Sequence, residues 1–233
     1  MSKTIIVVGF GPGISTAVAN KFGEKGFNVA LVARSEDRLT AGVSDLKANG
    51  IMAMATPADA GDPDAIRRAI KKVRAEFGSI TVILWNAFGG LEAGDILAVD
   101  SDTLRRVFDV AVVGLISAVK EALPDLRANG GALLVTNGAA GDINTRMDDF
   151  VTNQVKIMGV ALANGAKHKL VGLLSQRLKA DGIYVGEVMI AGAIKGTPTG
   201  DDNSIESATV ANMFWDLYQM RGEIRGRVTD PRF

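Results

Sequence analysis

The chain has 233 residues, of which 47% are hydrophobic, and its 26 lysines and arginines balance 26 aspartates and glutamates. This length and composition suit one large buried core, while the zero net charge offers no general attraction for nucleic acid or an anionic membrane. Cysteine is absent and His168 is the single histidine, which excludes disulfides, cysteine-bound metals and multi-histidine metal sites, so no metal is expected.

Apolar runs of strand length alternate with amphipathic runs of helical length along the whole chain. The predicted strands cover residues 4–8, 29–33, 52–56, 81–85, 132–136 and 183–190, with a short one near 226–228. The predicted helices cover residues 13–25, 35–48, 62–77, 101–129, 149–180 and 205–220. Pro124 should kink the fourth helix or begin a separate last turn.

This alternation predicts right-handed parallel crossovers and therefore an α/β fold. We expect a Rossmann-type doubly wound parallel sheet of order 3-2-1-4-5-6-7, with helices on both faces. No linker or repeat divides the chain, so residues 1–233 should form a single domain. Neither a signal region nor an apolar span of about 18 residues is present, which predicts a cytoplasmic protein with no membrane partner.

Three glycines, Gly9, Gly11 and Gly13, lie between the first strand and the first helix. In a strand–turn–helix context, such glycines let backbone approach a pyrophosphate, and the helix N-terminus offers free N–H groups to it. Glycines also serve ordinary tight turns, which is the alternative interpretation. The position of this turn favours a dinucleotide site.

Further candidate residues follow the next strands. Arg34 and Ser35 occupy the place where an acidic residue would bind a ribose 2′-hydroxyl, and they suit a 2′-phosphate, which favours NADP(H) over NAD(H). A solvated arginine beside a helix cap is the alternative. Asp59 either accepts a hydrogen bond from an adenine amino group or caps a turn.

In this order the motifs resemble those of the short-chain dehydrogenase/reductase family over essentially the whole chain. The glycine turn matches the family's Gly-x-x-x-Gly-x-Gly pattern, except that Ser15 replaces the last glycine. The resemblance implies binding of NADP(H) or NAD(H), and a homodimer or homotetramer formed through the two long central helices. The expected cofactor-binding residues are Gly9, Gly11, Gly13, Ile14, Ser15, Arg34, Ser35, Asp59, Ala60, Asn86, Ala87, Phe88, Thr136 and Thr197.

The chain departs from the family at the residues that carry out catalysis. The family uses an asparagine, a serine, a tyrosine and a lysine, and alignment places these four roles on Ala111, Gly138, Val160 and Asn164. Neither of the two tyrosines, at 184 and 218, has a lysine four residues later. Because valine cannot supply the proton that a reduced carbonyl needs, the catalytic residues stay unknown.

Lys156 is the one substitute that the sequence suggests. It would lie one helical turn before Val160, on a stripe with Asn153, Asn164 and Lys167. A lysine there could donate a proton if burial lowered its pKa, although a solvated or subunit-facing lysine is the alternative.

Two functions remain open. The first is an NADP(H)-dependent oxidoreductase that acts on a small carbonyl or alcohol with a non-standard active site. The second is a catalytically inactive nucleotide-binding sensor or assembly subunit. In a third case nucleotide binding is lost as well, because Ser15 crowds the start of the helix.

Overall fold

The computed structural model describes residues 3–232, so Met1, Ser2 and Phe233 of the predicted single domain lie outside the described part. Seven parallel strands form one sheet in the order 3-2-1-4-5-6-7, which confirms the predicted topology. The strands are β1 (Lys3–Val8), β2 (Phe27–Ala33), β3 (Ala53–Pro57), β4 (Val82–Trp85), β5 (Ala132–Gly138), β6 (Tyr184–Ala191) and β7 (Arg225–Thr229).

Eight α-helices flank this sheet within residues 3–232. They are α1 (Ile14–Glu24), α2 (Glu36–Ala48), α3 (Pro63–Phe77), α4 (Ser101–Phe108), α5 (Gly114–Asn129), α6 (Thr145–Asp149), α7 (Met158–Leu178) and α8 (Ser207–Met220). Apolar residues of α1, α2 and α8 form the core on one face of the sheet, and those of α3, α5 and α7 form the core on the other. The central strands are apolar along their length because both of their faces are covered.

The predicted helix over residues 101–129 is present, but its middle is a π-helical turn over Asp109–Val113. The indole Nε1 of Trp85 donates to the carbonyl oxygen of Val110 in this turn, at 3.1 Å. Pro124 does not start a separate turn, since α5 continues to Asn129. The carbonyl of Glu121, in the turn before Pro124, accepts a hydrogen bond from Arg74 on α3.

The prediction of one helix over residues 149–180 is wrong. The chain forms α6, a π-helical turn over Phe150–Gln154 and then a break, and α7 begins at Met158. Lys156 lies in the break with a left-handed φ of 51°. The amide nitrogens of Met158 and Gly159 donate to the carbonyl oxygens of Gly94 and Ala93, at 3.0 and 2.9 Å, which draws this segment away from helical geometry.

Candidate functional site

A cleft of about 780 Å³ lies at the carboxyl ends of the strands. The turns after β1, β2, β3 and β4 and the ends of β5 and β6 all contribute to its wall, as expected for a ligand site on an open parallel sheet. Thirteen of the fourteen expected cofactor-binding residues line it: Gly9, Gly11, Ile14, Ser15, Arg34, Ser35, Asp59, Ala60, Asn86, Ala87, Phe88, Thr136 and Thr197.

Gly9 brings the turn after β1 into direct contact with the turn after β4. Its φ is 84°, and a Cβ at this position would lie 2.4 Å from the backbone of Ala87. The side-chain amide of Asn86 donates to the carbonyl oxygen of Gly9 at 3.2 Å. The glycine is therefore required both by its φ and by this close approach.

Gly13, the fourteenth residue, does not line the cleft but supports its wall. It is the N-cap of α1, with a φ of 87°. A Cβ there would lie 2.9 Å from Cγ2 of Thr197 and 3.2 Å from Cγ2 of Ile194. The segment after β6 can therefore approach the start of α1 only because position 13 has no side chain.

Ser15 fits the first turn of α1 and is fully buried. Its hydroxyl accepts from the amide nitrogen of Gly11 at 2.9 Å and donates to the carbonyl oxygen of Gly11 at 2.8 Å. The serine thus closes the glycine turn, and it occupies one N–H group that the glycine pattern would otherwise offer to a phosphate.

Two guanidinium groups border the cleft beside the end of β2. Arg34 and Arg38 are both exposed, and Ser35 between them caps α2 by accepting from the amide nitrogen of Arg38 at 3.3 Å. Sequence reasoning singled out Arg34 and missed Arg38. Its position one helical turn after the cap residue was the signal that could have found it.

Asp59 serves its own turn and an ion pair. Its carboxylate accepts from the amide nitrogen of Gly61 at 2.8 Å and pairs with Arg106 at 2.7 Å. Burial alone would raise the pKa of Asp59, but the hydrogen bond from Gly61 and the pairing with Arg106 together lower it. Of the two predicted roles, the turn cap is the one that these contacts describe.

Thr136 presents a buried polar atom at the cleft. Its hydroxyl oxygen has no hydrogen-bond partner within residues 3–232, although the residue lines the cleft. A buried hydroxyl without a partner is destabilising, so this oxygen is a polar atom that the fold leaves unsatisfied.

The four positions that the resemblance assigns to catalysis are divided between the cleft and the core. Gly138 and Asn164 line the cleft, and a Cβ at Gly138 would lie 2.7 Å from the side-chain nitrogen Nδ2 of Asn164. Ala111 and Val160 are buried and do not line it. The helical placement expected for Lys156 is wrong, and its side chain is exposed outside the cleft.

Neither tyrosine lies at the cleft. Tyr184 begins β6, at the opposite edge of the sheet, and its hydroxyl donates to the carbonyl oxygen of Glu223 at 2.5 Å. Burial raises the pKa of Tyr184 to about 12. Tyr218 packs in the aromatic cluster of α8 beside Phe22 and Phe27.

A buried lysine that the sequence placed on the same stripe as Lys156, but not as a proton donor, lines the cleft. Lys167 lies on α7, one turn after Asn164, and only 6% of its surface is exposed. Burial lowers its pKa to about 8, against the opposing effect of the nearby Glu187 carboxylate. The signal that could have found it is Glu187 itself, an acidic residue inside an apolar strand.

Within residues 3–232, no group of three or more histidine, cysteine or acidic side chains is arranged to hold a metal ion. No helix in this part of the chain is both long and apolar enough to cross a membrane.

Comparison with known proteins identifies relatives over most of the chain. The sequence model described as short chain dehydrogenase matches residues 3–148. The 3-oxoacyl-(acyl-carrier-protein) reductase FabG of Staphylococcus aureus is 29% identical over 164 residues, which are 69% of this chain and 66% of the reductase. The match thus spans slightly less than two thirds of that relative.

Solved structures share the fold over nearly the full length. The alcohol dehydrogenase of the archaeon Thermococcus sibiricus, complexed with 5-hydroxy-NADP, superposes with a TM-score of 0.84 at 20% identity, covering 99% of this chain and 97% of that one. A blue fluorescent protein from a metagenomic library, in complex with NADPH, superposes with a TM-score of 0.83 at 23% identity, covering 98% and 96%.

Proposed function

The chain belongs to the short-chain dehydrogenase family, and on that premise we propose that it is an NADP(H)-dependent oxidoreductase with a non-standard active site. Its substrate class would be a small carbonyl compound or alcohol. The observation that carries the proposal is that one cleft brings together the glycine turn, Arg34 and Thr136.

The walls of this cleft suit a dinucleotide in size and chemistry. About 780 Å³ lies within the range of small-molecule sites. No side chain among the described residues caps the first turn of α1, so its N–H groups are available to a pyrophosphate.

The preference for NADP(H) rests on charge at the end of β2. Arg34 and Arg38 both border the cleft, and neither forms a salt bridge within residues 3–232. Guanidinium groups bind phosphate by paired, charge-assisted hydrogen bonds. The NADP and NADPH complexes among proteins of the same fold agree with this choice.

Thermal or urea unfolding with added nucleotide tests the binding. NADPH at a hundred-fold excess over its dissociation constant should raise the free energy of unfolding by about 2.7 kcal/mol. Arg34→Ala and Arg38→Ala should each weaken NADPH more than NADH, while Lys47→Ala at the far end of α2 should change neither. Equal weakening of both nucleotides would contradict the NADP(H) preference.

Bound NADPH would supply a hydride, and the protein would then have to supply a proton to the substrate oxygen. The active site is proposed to be non-standard because two of the family's catalytic positions line the cleft without an acidic group. Gly138 has no side chain, and the side-chain amide of Asn164 cannot act as an acid. The two tyrosine hydroxyls lie elsewhere, at the start of β6 and on α8.

The distance of both tyrosines from the cleft also supports the second function, a nucleotide-binding sensor or assembly subunit without turnover. Loss of nicotinamide absorbance with a panel of ketones and aldehydes separates the two. Turnover that depends on protein concentration favours the oxidoreductase. Nucleotide binding without turnover on that panel, or on alcohols with NADP+, favours the inactive protein.

A homodimer or homotetramer through the central helices is part of the same proposal. α7 exposes two large apolar side chains, Leu162 at 49% and Leu173 at 57%. Light scattering after size-exclusion chromatography measures the state directly. Leu173→Glu should shift an oligomer that uses this face toward the monomer, whereas Met52→Glu, on the exposed segment before β3, should leave it unchanged.

A further inference from the structure

Two buried side chains of opposite charge belong to α7 and β6, and the one on α7 lines the cleft. Lys167 on α7 is 6% exposed, and Glu187 in the middle of β6 is fully buried. Charged side chains are seldom buried this deeply unless they are paired or functional. Neither residue has a part in the nucleotide contacts described above.

Three side chains hold Glu187 in position. The side-chain amide of Asn137 donates to Oε1 at 2.7 Å, Nδ1 of His168 lies 2.7 Å from Oε2, and Nε of Arg225 donates to Oε2 at 3.3 Å. These partners come from β5, α7 and β7, so three elements fix the carboxylate. Its negative charge favours a proton on Lys167.

Asn137 connects Glu187 to the wall of the cleft. Besides its bond to Glu187, its side-chain amide donates to the carbonyl oxygen of Asn164 at 3.0 Å, and its own oxygen accepts from the amide nitrogen of Gly138. Lys167 follows Asn164 by three residues, which places both on one side of α7, and both line the cleft. The Lys167 side chain thus borders the same wall as Gly138 and Asn164, two of the family's catalytic positions.

We propose that Lys167 is the catalytic acid of this protein and that its ammonium group gives a proton to the substrate oxygen. This inference rests on the oxidoreductase function proposed above. As the carbonyl carbon gains the hydride, the electron pair of the C=O π bond moves to oxygen, which takes a proton from Nζ. The products are the alcohol, NADP+ and neutral Lys167, which regains a proton from water entering the open cleft.

The acidity of Lys167 suits this role. Burial lowers its pKa to about 8, while the Glu187 carboxylate limits the fall. A general acid works best when its pKa lies near the working pH, because it is then protonated and yet gives up its proton readily. The ammonium of an ordinary surface lysine is a much weaker acid.

Three variants test the proposal by turnover at saturating NADPH, with the best substrate of a ketone and aldehyde panel. Lys167→Met should lower kcat by about 10²- to 10⁴-fold, the usual contribution of a general acid. Lys167→Arg should lower it comparably, because a guanidinium keeps the charge but does not release a proton. Lys169→Met, on the exposed side of the same helix, should leave kcat within about two-fold of the wild type, which is far smaller than the loss expected at Lys167. Melting curves and NADPH dissociation constants establish that each variant is folded and binds nucleotide.

A second measurement does not depend on turnover. Protein that carries lysine labelled with 13C at Cε should give one NMR resonance that is missing in Lys167→Arg and titrates near pH 8. In Glu187→Gln this resonance should titrate at lower pH, and the alkaline fall of kcat should move with it. Titration of the Lys167 signal near pH 10 would overturn the proposal whatever the activity.

The possible failures are distinguishable. Full turnover by Lys167→Met would overturn the acid role alone and leave the oxidoreductase intact. A wild-type protein that binds NADPH but turns over no compound of the panel would overturn the proposed function and the acid role together.

Discussion

Raising the pH should stabilise this protein through Lys167. The pKa of this lysine falls from 10.5 to about 8 on folding, because burial disfavours the charged form more than Glu187 favours it. Between these two pH values the unfolded chain holds a proton at Lys167 that the folded protein has released. Stability rises with pH wherever the unfolded state binds more protons, so the contribution of Lys167 improves across this window.

The size of the effect follows from the same two pKa values. The full difference corresponds to about 3 kcal/mol of destabilisation when Lys167 is charged in both states. Most of the change lies below the upper pKa, so about 2 kcal/mol of it should be recovered between about pH 7 and about pH 10. Tyr184 works in the opposite direction above about pH 10, since burial raises its pKa to about 12.

Urea unfolding of the wild type and of Lys167→Met across this pH range isolates the effect. Every other group titrates alike in both proteins, so the difference between the two curves reports Lys167. The wild type should gain about 2 kcal/mol relative to the variant as the pH rises. Two curves that stay parallel within about 0.5 kcal/mol would show that Lys167 has an ordinary pKa in the folded protein, and the reasoning would fail.

Three further changes should lower stability without touching Lys167. A methyl group at Gly9 would lie 2.4 Å from backbone at a φ of 84°, so Gly9→Ala should cost about 2 kcal/mol or more in urea unfolding, unlike Gly222→Ala, where space is open. Ser15→Ala removes two hydrogen bonds to Gly11 and should lower the free energy of unfolding by about 1–2 kcal/mol. Arg74→Met leaves the nearly buried carboxylate of Asp125 without its cation and should cost about 2–3 kcal/mol, a loss that a melting temperature equal to that of the wild type would contradict.

The sheet order was predictable because local signals and topology agree. Each central strand is an apolar run, and each connection contains a helix with identifiable ends. Asp62 caps α3 by accepting from two amide nitrogens, Pro63 is its first residue, and Gly78 ends it with a φ of 77°. Such residues determine helix ends through their own backbone and side-chain chemistry, so no distant contact is needed to foresee them.

The break before α7 could not be read in the same way. No glycine or proline marks it, and helical periodicity runs through Lys156 without interruption. The left-handed residue there is a lysine, held by hydrogen bonds from Met158 and Gly159 to the loop after β4. These contacts join residues more than sixty positions apart, which a periodic pattern does not report. The expectation that Lys156 lies within a helix was wrong for this reason.

Most residues of the proposed cofactor wall could be named from sequence, because they follow strands whose carboxyl ends meet at one edge. Whether they bind NADP(H) stays a prediction. Lys167 was harder to find, since its burial and its interaction with Glu187 arise only when α7 packs on the sheet. An acidic residue within the apolar run of β6 was the visible signal. It implied a buried cation without saying which helix supplies one.

The burial of Lys167 connects the stability of this protein to its proposed chemistry. A buried charge is costly unless it is paired, and Lys167 forms no salt bridge within residues 3–232, so its position calls for another reason. That position is the wall of the cleft where a reduced substrate would need a proton. Burial destabilises the charged lysine and, by the same interaction, brings its pKa to about 8, where it can act as an acid. The pH dependence of unfolding and the alkaline fall of turnover should therefore report one and the same ionisation, and Glu187→Gln should move both to lower pH together.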